Sequence, residues 1–120
     1  MSDPRTVTVR TLDHGEVTAA EPFWCLGVHA DGEFRADFNH QGEEYPLVVD
    51  TVQVATASLY QRPFAERTTT APVAVLEFDA SHEFDSVALA GLADSLVVYA
   101  VGPLHDLVTR LQLLEDGDAS

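Results

Sequence analysis

The chain has 120 residues, 46% of them hydrophobic, which is enough for one core and predicts a single domain over residues 1–120. Twenty acidic against six basic residues give a formal net charge of −14, an anionic surface that disfavours direct binding to nucleic acid or anionic lipid. The longest apolar run, residues 96–101, is too short to cross a membrane and no signal-type segment opens the chain, so we expect a cytoplasmic protein without a membrane partner.

Alternating residues in the first two thirds of the chain predict short strands. Residues 6–12 and 16–19 form a β-hairpin, because Gly15 can adopt the positive φ of its turn. A second hairpin, residues 23–29 and 33–40, is predicted around Asp31-Gly32. Further strands are expected at 45–49, 52–60 and 73–78.

From Asp85 onward the apolar period changes from two to 3.6 residues, which predicts a helical segment over 85–115 with Asp85 or Ser86 as N-cap. Gly102-Pro103 either kinks this helix or splits it. The remaining acidic residues, 116–120, are expected to form a frayed tail.

Strands followed by one terminal helix predict an α+β fold. We expect a strand-rich region over 5–79, forming an antiparallel sheet of five to seven short strands backed by one long, Pro-kinked C-terminal helix. A partly closed barrel or a small sandwich is the alternative.

Cys25, His29 and His40 are the sequence's candidate metal ligands, with His14 or Asp37 as a fourth. Zinc, the one cofactor candidate, uses these residue types. On a regular strand, however, Cys25 and His29 would lie ~13 Å apart, so zinc requires a tight turn at Leu26-Gly27-Val28. The other interpretation is a buried free cysteine with surface histidines, since the chain has no second cysteine for a disulfide.

The C-terminal segment also carries a heptad-like pattern. Eight apolar residues follow a 3-4-3-4-3-4-3 spacing: Ala90, Ala93, Val97, Ala100, Leu104, Leu107, Leu111 and Leu114. The last four either continue the packing of the helix on the sheet or bind a partner helix, most simply from a second copy.

Two motifs resemble a family of small uncharacterised domains from high-GC Gram-positive bacteria. They are P-x-W-C-x-G-x-H, from Pro22 to His29, and D-x-x-H-x-G, from Asp37 to Gly42. The segments 6–15 and 59–64 and the Phe84-Asp85 pair fit as well. The resemblance implies an architecture and an intracellular setting, and no activity.

Three functions remain open. The leading hypothesis is a non-enzymatic, acidic protein-interaction module with a protein partner, basic in charge, or a homodimer through the C-terminal helix. The second is a small domain stabilised by zinc at Cys25, His29 and His40. The third is an acidic neutraliser of the antitoxin, immunity-protein or DNA-mimic type. We predict no catalytic residues, because a cysteine between Trp24 and Leu26 is typical of a small buried side chain.

Overall fold

The computed structural model describes residues 5–78 and 81–118. The described residues form six strands and one long helical segment, in agreement with the predicted α+β class. The strands are β1 Arg5–Thr11, β2 Gly15–Glu21, β3 His40–Gln41, β4 Tyr45–Val49, β5 Val52–Gln61 and β6 Val73–Phe78. The helices are α1 Ser86–Tyr99 and α2 His105–Asp118, joined by a π-helical turn at Ala100–Leu104.

The predicted first hairpin is confirmed. Strands β1 and β2 pair antiparallel from Arg5↔Glu21 to Thr11↔Gly15. Gly15 has a φ of +64°, which a residue with a side chain rarely adopts. Glu21, paired with Arg5, is the last residue of the second strand of this hairpin.

Strand β5 pairs antiparallel with β3 and with β4, and β6 also pairs with β5. The strands predicted at 45–49, 52–60 and 73–78 are thus confirmed. The β4–β5 turn is formed by Asp50 and Thr51, both with positive φ, the backbone twist that suits a two-residue hairpin.

The predicted second hairpin, 23–29 with 33–40, is wrong. Apart from β3, this region contains only a 3-10 turn at Arg35–Asp37 and an isolated parallel bridge between Thr11 and Glu33. Gly27 has a φ of +82°, so the chain turns where the first strand of this hairpin would have to continue, whereas the φ of +91° at Gly32 falls in the predicted turn. Its backbone instead bonds to other segments, as where Leu26 N donates to Gln41 O at 2.9 Å.

The chain divides into two compact parts, each with its own buried residues. The first part comprises residues up to 43 and 59–73, and the second comprises 44–58 and residues from 74 onward. Buried side chains of the first are Val9, Trp24, Cys25, Phe38, His40 and Leu59. Those of the second are Leu47, Val49, Ala55, Ala57, Ser58, Tyr99 and Leu107.

The helical segment begins as predicted. The Asp85 side chain accepts a hydrogen bond from Ala88 N at 2.9 Å, the arrangement of an N-cap. Helix continues through Asp118, beyond the predicted end at residue 115, so the predicted tail is helical over 116–118. Residues 119–120 of that tail, like residue 79 of the strand-rich region, lie outside the described residues.

The π-helical turn around Pro103 decides which face of the helix is covered. In a regular α-helix, eight residues at 3.6 per turn would put Leu107 about 80° away from Tyr99. A π turn inserts one residue, or about 100°, and so brings the two back to nearly the same face. Both are buried, with 7% of Tyr99 and 1% of Leu107 exposed.

The eight-residue seam is consequently not one continuous face. Its first half, Ala90, Ala93, Val97 and Ala100, is exposed, whereas its second half is buried or half-buried. The covered face of α1 instead contains Ala88, Leu92, Ser95 and Tyr99. The chain itself already covers Leu107, while Leu104, Leu111 and Leu114 are half-buried. Partner binding by these four leucines stays a prediction.

By length and composition alone, the helix Ser86–Gly117 is apolar enough to cross a membrane. One of its faces nevertheless packs on the protein, because Leu107 is buried and the Tyr99 hydroxyl donates a hydrogen bond to Tyr45 O. Helices of soluble cores meet the same criterion of length and composition. The absence of a membrane partner stays a prediction.

Candidate metal centre

Three short segments of the first part place four ligand-type side chains together. Glu21 is the last residue of β2, and Cys25 and His29 lie in the loop that follows it. His40 begins β3, which is fixed to β5 by the His40↔Gln61 pair. Because Gly27 reverses the chain between Cys25 and His29, both side chains reach the same point.

One ligand atom from each of these four residues lies within 4.8 Å of all the others. His29 Nε2 is 3.8 Å from Cys25 Sγ and 2.8 Å from Glu21 Oε2, and His40 Nδ1 is 2.8 Å from Glu21 Oε1. Ligand atoms around a tetrahedral zinc lie about 3.3 to 3.7 Å apart, given bonds of about 2.0 to 2.3 Å. The separations bracket that range, so small shifts would fit the four atoms around one ion.

The Nδ1 atom of His40 is buried and has no hydrogen-bond partner, although Glu21 Oε1 is only 2.8 Å away. The distance between His40 Nδ1 and Glu21 Oε1 suits a hydrogen bond, but the carboxylate oxygen does not lie in the direction that such a bond requires. A buried polar atom without a partner costs free energy unless something else satisfies it. An ion between the four side chains would satisfy this one.

The centre is shielded from solvent. The side chains of Glu21, His29 and His40 are 7%, 6% and 2% exposed, and Cys25 is 6% exposed. Burial lowers the pKa of His40, so the ring stays neutral and keeps a lone pair. Burial also raises the pKa of the Cys25 thiol, as does the nearby Glu21 carboxylate.

Glu21 supplies the negative charge of the cluster. Burial by itself would raise its pKa, but hydrogen bonds from Cys25 and His29 and the adjacent histidines outweigh that effect and hold the pKa below its usual value. An ionised carboxylate, two imidazoles and a thiol therefore share one enclosed space. Their combined chemistry is that of a site for a divalent cation.

Aromatic rings hold the two histidines in place. Phe38 stacks on His29 with ring centroids 5.0 Å apart, and it meets His40 edge-on at the same distance. Trp24 also meets the His40 ring edge-on. The backbone of Ala20 also lies against the His40 ring and partly offsets the lowering of its pKa by burial.

Gly42 closes this wall of the site. A Cβ atom at this position would lie 3.2 Å from Trp24 O and 3.3 Å from the Trp24 ring. Only glycine fits that approach without displacing its neighbours. The D-x-x-H-x-G motif thus combines a ligand, His40, with the residue that lets Trp24 pack beside it.

Of the sequence's candidate ligands, the structure brings together Cys25, His29 and His40 and leaves two apart. His14 is half-exposed and contacts Asp13 at 2.9 Å, and Asp37 is not among the clustered residues. The fourth member, Glu21, was missed, because the return strand was expected to end at residue 19. Its signal is the even spacing of Glu21, Cys25 and His29, four residues apart each time.

The geometry does not suit nucleophilic catalysis. In a cysteine–histidine–carboxylate triad, one ring nitrogen faces the nucleophile and the other faces the carboxylate. Here the same atom, His29 Nε2, faces both Cys25 Sγ and the Glu21 carboxylate. Side chains that converge on one point in this way are arranged as ligands.

A comparison with protein families finds one match. The family model described as "Domain of unknown function (DUF6907)" matches residues 6–112, which include all four clustered residues. No curated protein and no solved structure matches the chain. The match covers most of the 120 residues, and the chain therefore belongs to this family of domains of unknown function.

Proposed function

We propose that this protein is a zinc-stabilised domain in which Glu21, Cys25, His29 and His40 hold one ion. The observation that carries the proposal is the convergence of four ligand atoms within 4.8 Å in an enclosed space, one of them a buried nitrogen without a hydrogen-bond partner. Cysteine and histidine together favour zinc over magnesium and calcium, which prefer oxygen ligands.

The ion would be structural. Four protein ligands complete a tetrahedron, whereas catalytic zinc sites keep one position for water or substrate. The ligands come from the end of β2, from the irregular loop after it and from the start of β3. One ion would therefore join these three segments. Ligands that are brought together only in the folded chain make metal affinity a contribution to folding free energy.

The experiment is metal analysis of protein purified without chelator. We expect about one zinc per chain for the wild type and for His14→Asn, a histidine outside the cluster, and a large loss for Cys25→Ser and His40→Asn. Replacement by Co²⁺ adds a second readout, since a thiolate ligand and a tetrahedral field give charge-transfer and visible bands that Cys25→Ser removes or shifts. Wild-type protein without bound metal, and without cobalt bands after loading, would contradict the proposal.

A second function is favoured by the outer face of α1, which exposes apolar side chains in an otherwise highly charged protein. Val87, Val97 and Val98 of α1 are 80%, 64% and 68% exposed, and Val101 of the following π-helical turn is 71% exposed. Several exposed apolar residues on one helix are typical of protein-binding surfaces. We propose that a basic segment of another protein docks there, because the only charged residue within α1 is Asp94 and a net charge of −14 repels a second copy.

The Val97→Glu variant tests this surface, with Leu113→Glu as control because Leu113 is also exposed, at 66%. The wild type and both variants are used to capture proteins from cell extract. A protein that binds the wild type and Leu113→Glu but not Val97→Glu is purified and titrated against the wild type and the two variants. We expect basic partners whose affinity falls steeply with salt and is lost only with Val97→Glu. A doubled mass in light scattering that Val97→Glu abolishes would instead identify a second copy as the occupant.

A further inference from the structure

A groove in the first part of the chain is lined by residues other than the four clustered ligands. It has a volume of about 500 Å³, within the range of small-molecule sites. Its lining residues are Leu12, Gly32, Glu33, Phe34, Asp37, Asn39, Tyr60 and Arg62. Nothing in the proposed zinc site uses them, so the groove needs an explanation of its own.

Charges of both signs line this groove without neutralising each other. The Glu33 and Asp37 carboxylates share it with the Arg62 guanidinium, yet no ion pair joins any two of these described residues. The guanidinium donates instead to Thr68 Oγ1 at 3.2 Å, a neutral partner. Opposite charges held apart in one groove are suited to a ligand that itself carries both charges.

Apolar side chains provide the remaining contact surface. Leu12 and Phe34 are 66% and 54% exposed, and Tyr60 is half-buried. Leucine and phenylalanine side chains this exposed, beside separated charges, give a ligand both a hydrocarbon surface and a ring face for a cation.

The walls of the groove are fixed by the backbone. Leu12 N donates to Glu33 O and Gly32 N donates to Arg10 O, both at 2.9 Å, so the loop carrying Glu33 is tied to the end of β1. Residues 37–40 alternate: Phe38 and His40 are buried, while Asp37 and Asn39 line the groove. The lining is thus largely preformed.

We propose that the groove binds a compact ion with one carboxylate and an excess of positive charge, the chemistry of a cationic amino acid, either free or at the C-terminus of a peptide. Arg62 pairs with the carboxylate, and Glu33 and Asp37 pair with the cationic groups. The aliphatic stem lies on Leu12, Phe34 and Tyr60. The proposal goes beyond the zinc site and does not depend on a bound metal.

The test is an NMR titration of the full chain, with and without zinc, using L-arginine, Nα-acetyl-L-arginine and L-arginine amide. We expect saturable shifts at groove residues and about 10- to 150-fold weaker binding of the amide, since a charge-assisted hydrogen bond contributes about 1.5 to 3 kcal/mol. The acetylated form separates the two sources: it binds as well as arginine if a peptide C-terminus is the ligand, and more weakly if the free amino acid is.

Arg62→Gln should remove the preference for arginine over its amide, and Asp37→Asn should weaken both. Thr68→Ala, which removes the hydrogen bond to Arg62 but leaves the guanidinium, should keep the preference. The exposed loop variants Glu66→Gln and Arg67→Gln, outside the groove, should bind as the wild type does. No saturable shift at ~20 mM ligand, where a site this polar should be occupied, or an equal loss with Arg67→Gln, would overturn the proposal.

Discussion

Between Pro22 and Gly42 the chain forms one two-residue strand and one 3-10 turn, whereas every residue from Ser86 to Asp118 is helical. The first stretch is organised around a few polar and aromatic side chains that meet at one point, with His29, His40 and Phe38 in mutual ring contact. The second is held by local backbone hydrogen bonds and by one face of buried and half-buried side chains, among them Tyr99 and Leu107.

The two regions therefore differ in how their stability is distributed. A helix loses little when one exposed side chain is changed, because each turn has its own hydrogen bonds. An irregular loop whose order would depend on four ligands of one ion has no such redundancy. If the proposed ion is present, its removal should affect residues 22–42 far more than residues 86–118.

Metal removal is the largest effect we expect. At free zinc about 1,000 times the dissociation constant, binding to the folded state alone adds about 4.1 kcal/mol to the free energy of unfolding. Chelation should therefore lower the melting temperature, and hydrogen exchange should show amides in 22–42 losing protection while those of α1 and α2 keep most of theirs.

His14→Asn, outside the cluster, should respond to chelation as the wild type does, and Cys25→Ser should respond little because it starts without its metal. Equal loss of protection in the loop and in the helices would mean that the two regions unfold together. The contrast between them would then be wrong, even if zinc is bound.

The same contrast explains which parts of the structure could be predicted from the sequence. The helix, its Asp85 cap, the first hairpin and the strands at 45–49, 52–60 and 73–78 follow from residue periodicity and turn chemistry, which act over a few neighbouring residues. The region 23–40 alternates well enough to resemble a hairpin, as in Phe34, Ala36 and Phe38. No feature of the neighbouring residues predicts that Gly27 adopts a positive φ and turns the chain.

The cluster itself was only partly predictable. Cysteine and histidine are unusual enough to select Cys25, His29 and His40 by type alone. Glutamate is not, since the chain is acidic throughout, so Glu21 could be recognised only once β2 was known to end there. The groove was not predictable either, because its lining comes from three separate places: Leu12 just after β1, the segment 32–39, and Tyr60 and Arg62 at the end of β5.

The π-helical turn provides a smaller test, on the helical side of the comparison. Leu107 faces the protein because the inserted residue rotates α2 relative to α1, whereas Leu113 is 66% exposed. Leu107→Ala should cost about 2 to 5 kcal/mol of unfolding free energy, the usual range for a buried leucine, and Leu113→Ala less than about 0.5 kcal/mol. Chemical denaturation measures both.

Deleting Val101, an exposed residue of the π turn, sharpens the same prediction. The deletion would restore regular helical spacing with Leu107 seven residues after Tyr99, about 700° of rotation, and so leave Leu107 within about 20° of the Tyr99 face. We expect it to cost much less unfolding free energy than Leu107→Ala, and the deletion combined with Leu107→Ala to cost about the sum of the two, since Leu107 would keep its contacts after the deletion. If the deletion instead destabilises the protein as much as Leu107→Ala does, the rotation of α2 by the inserted residue is not what keeps Leu107 buried.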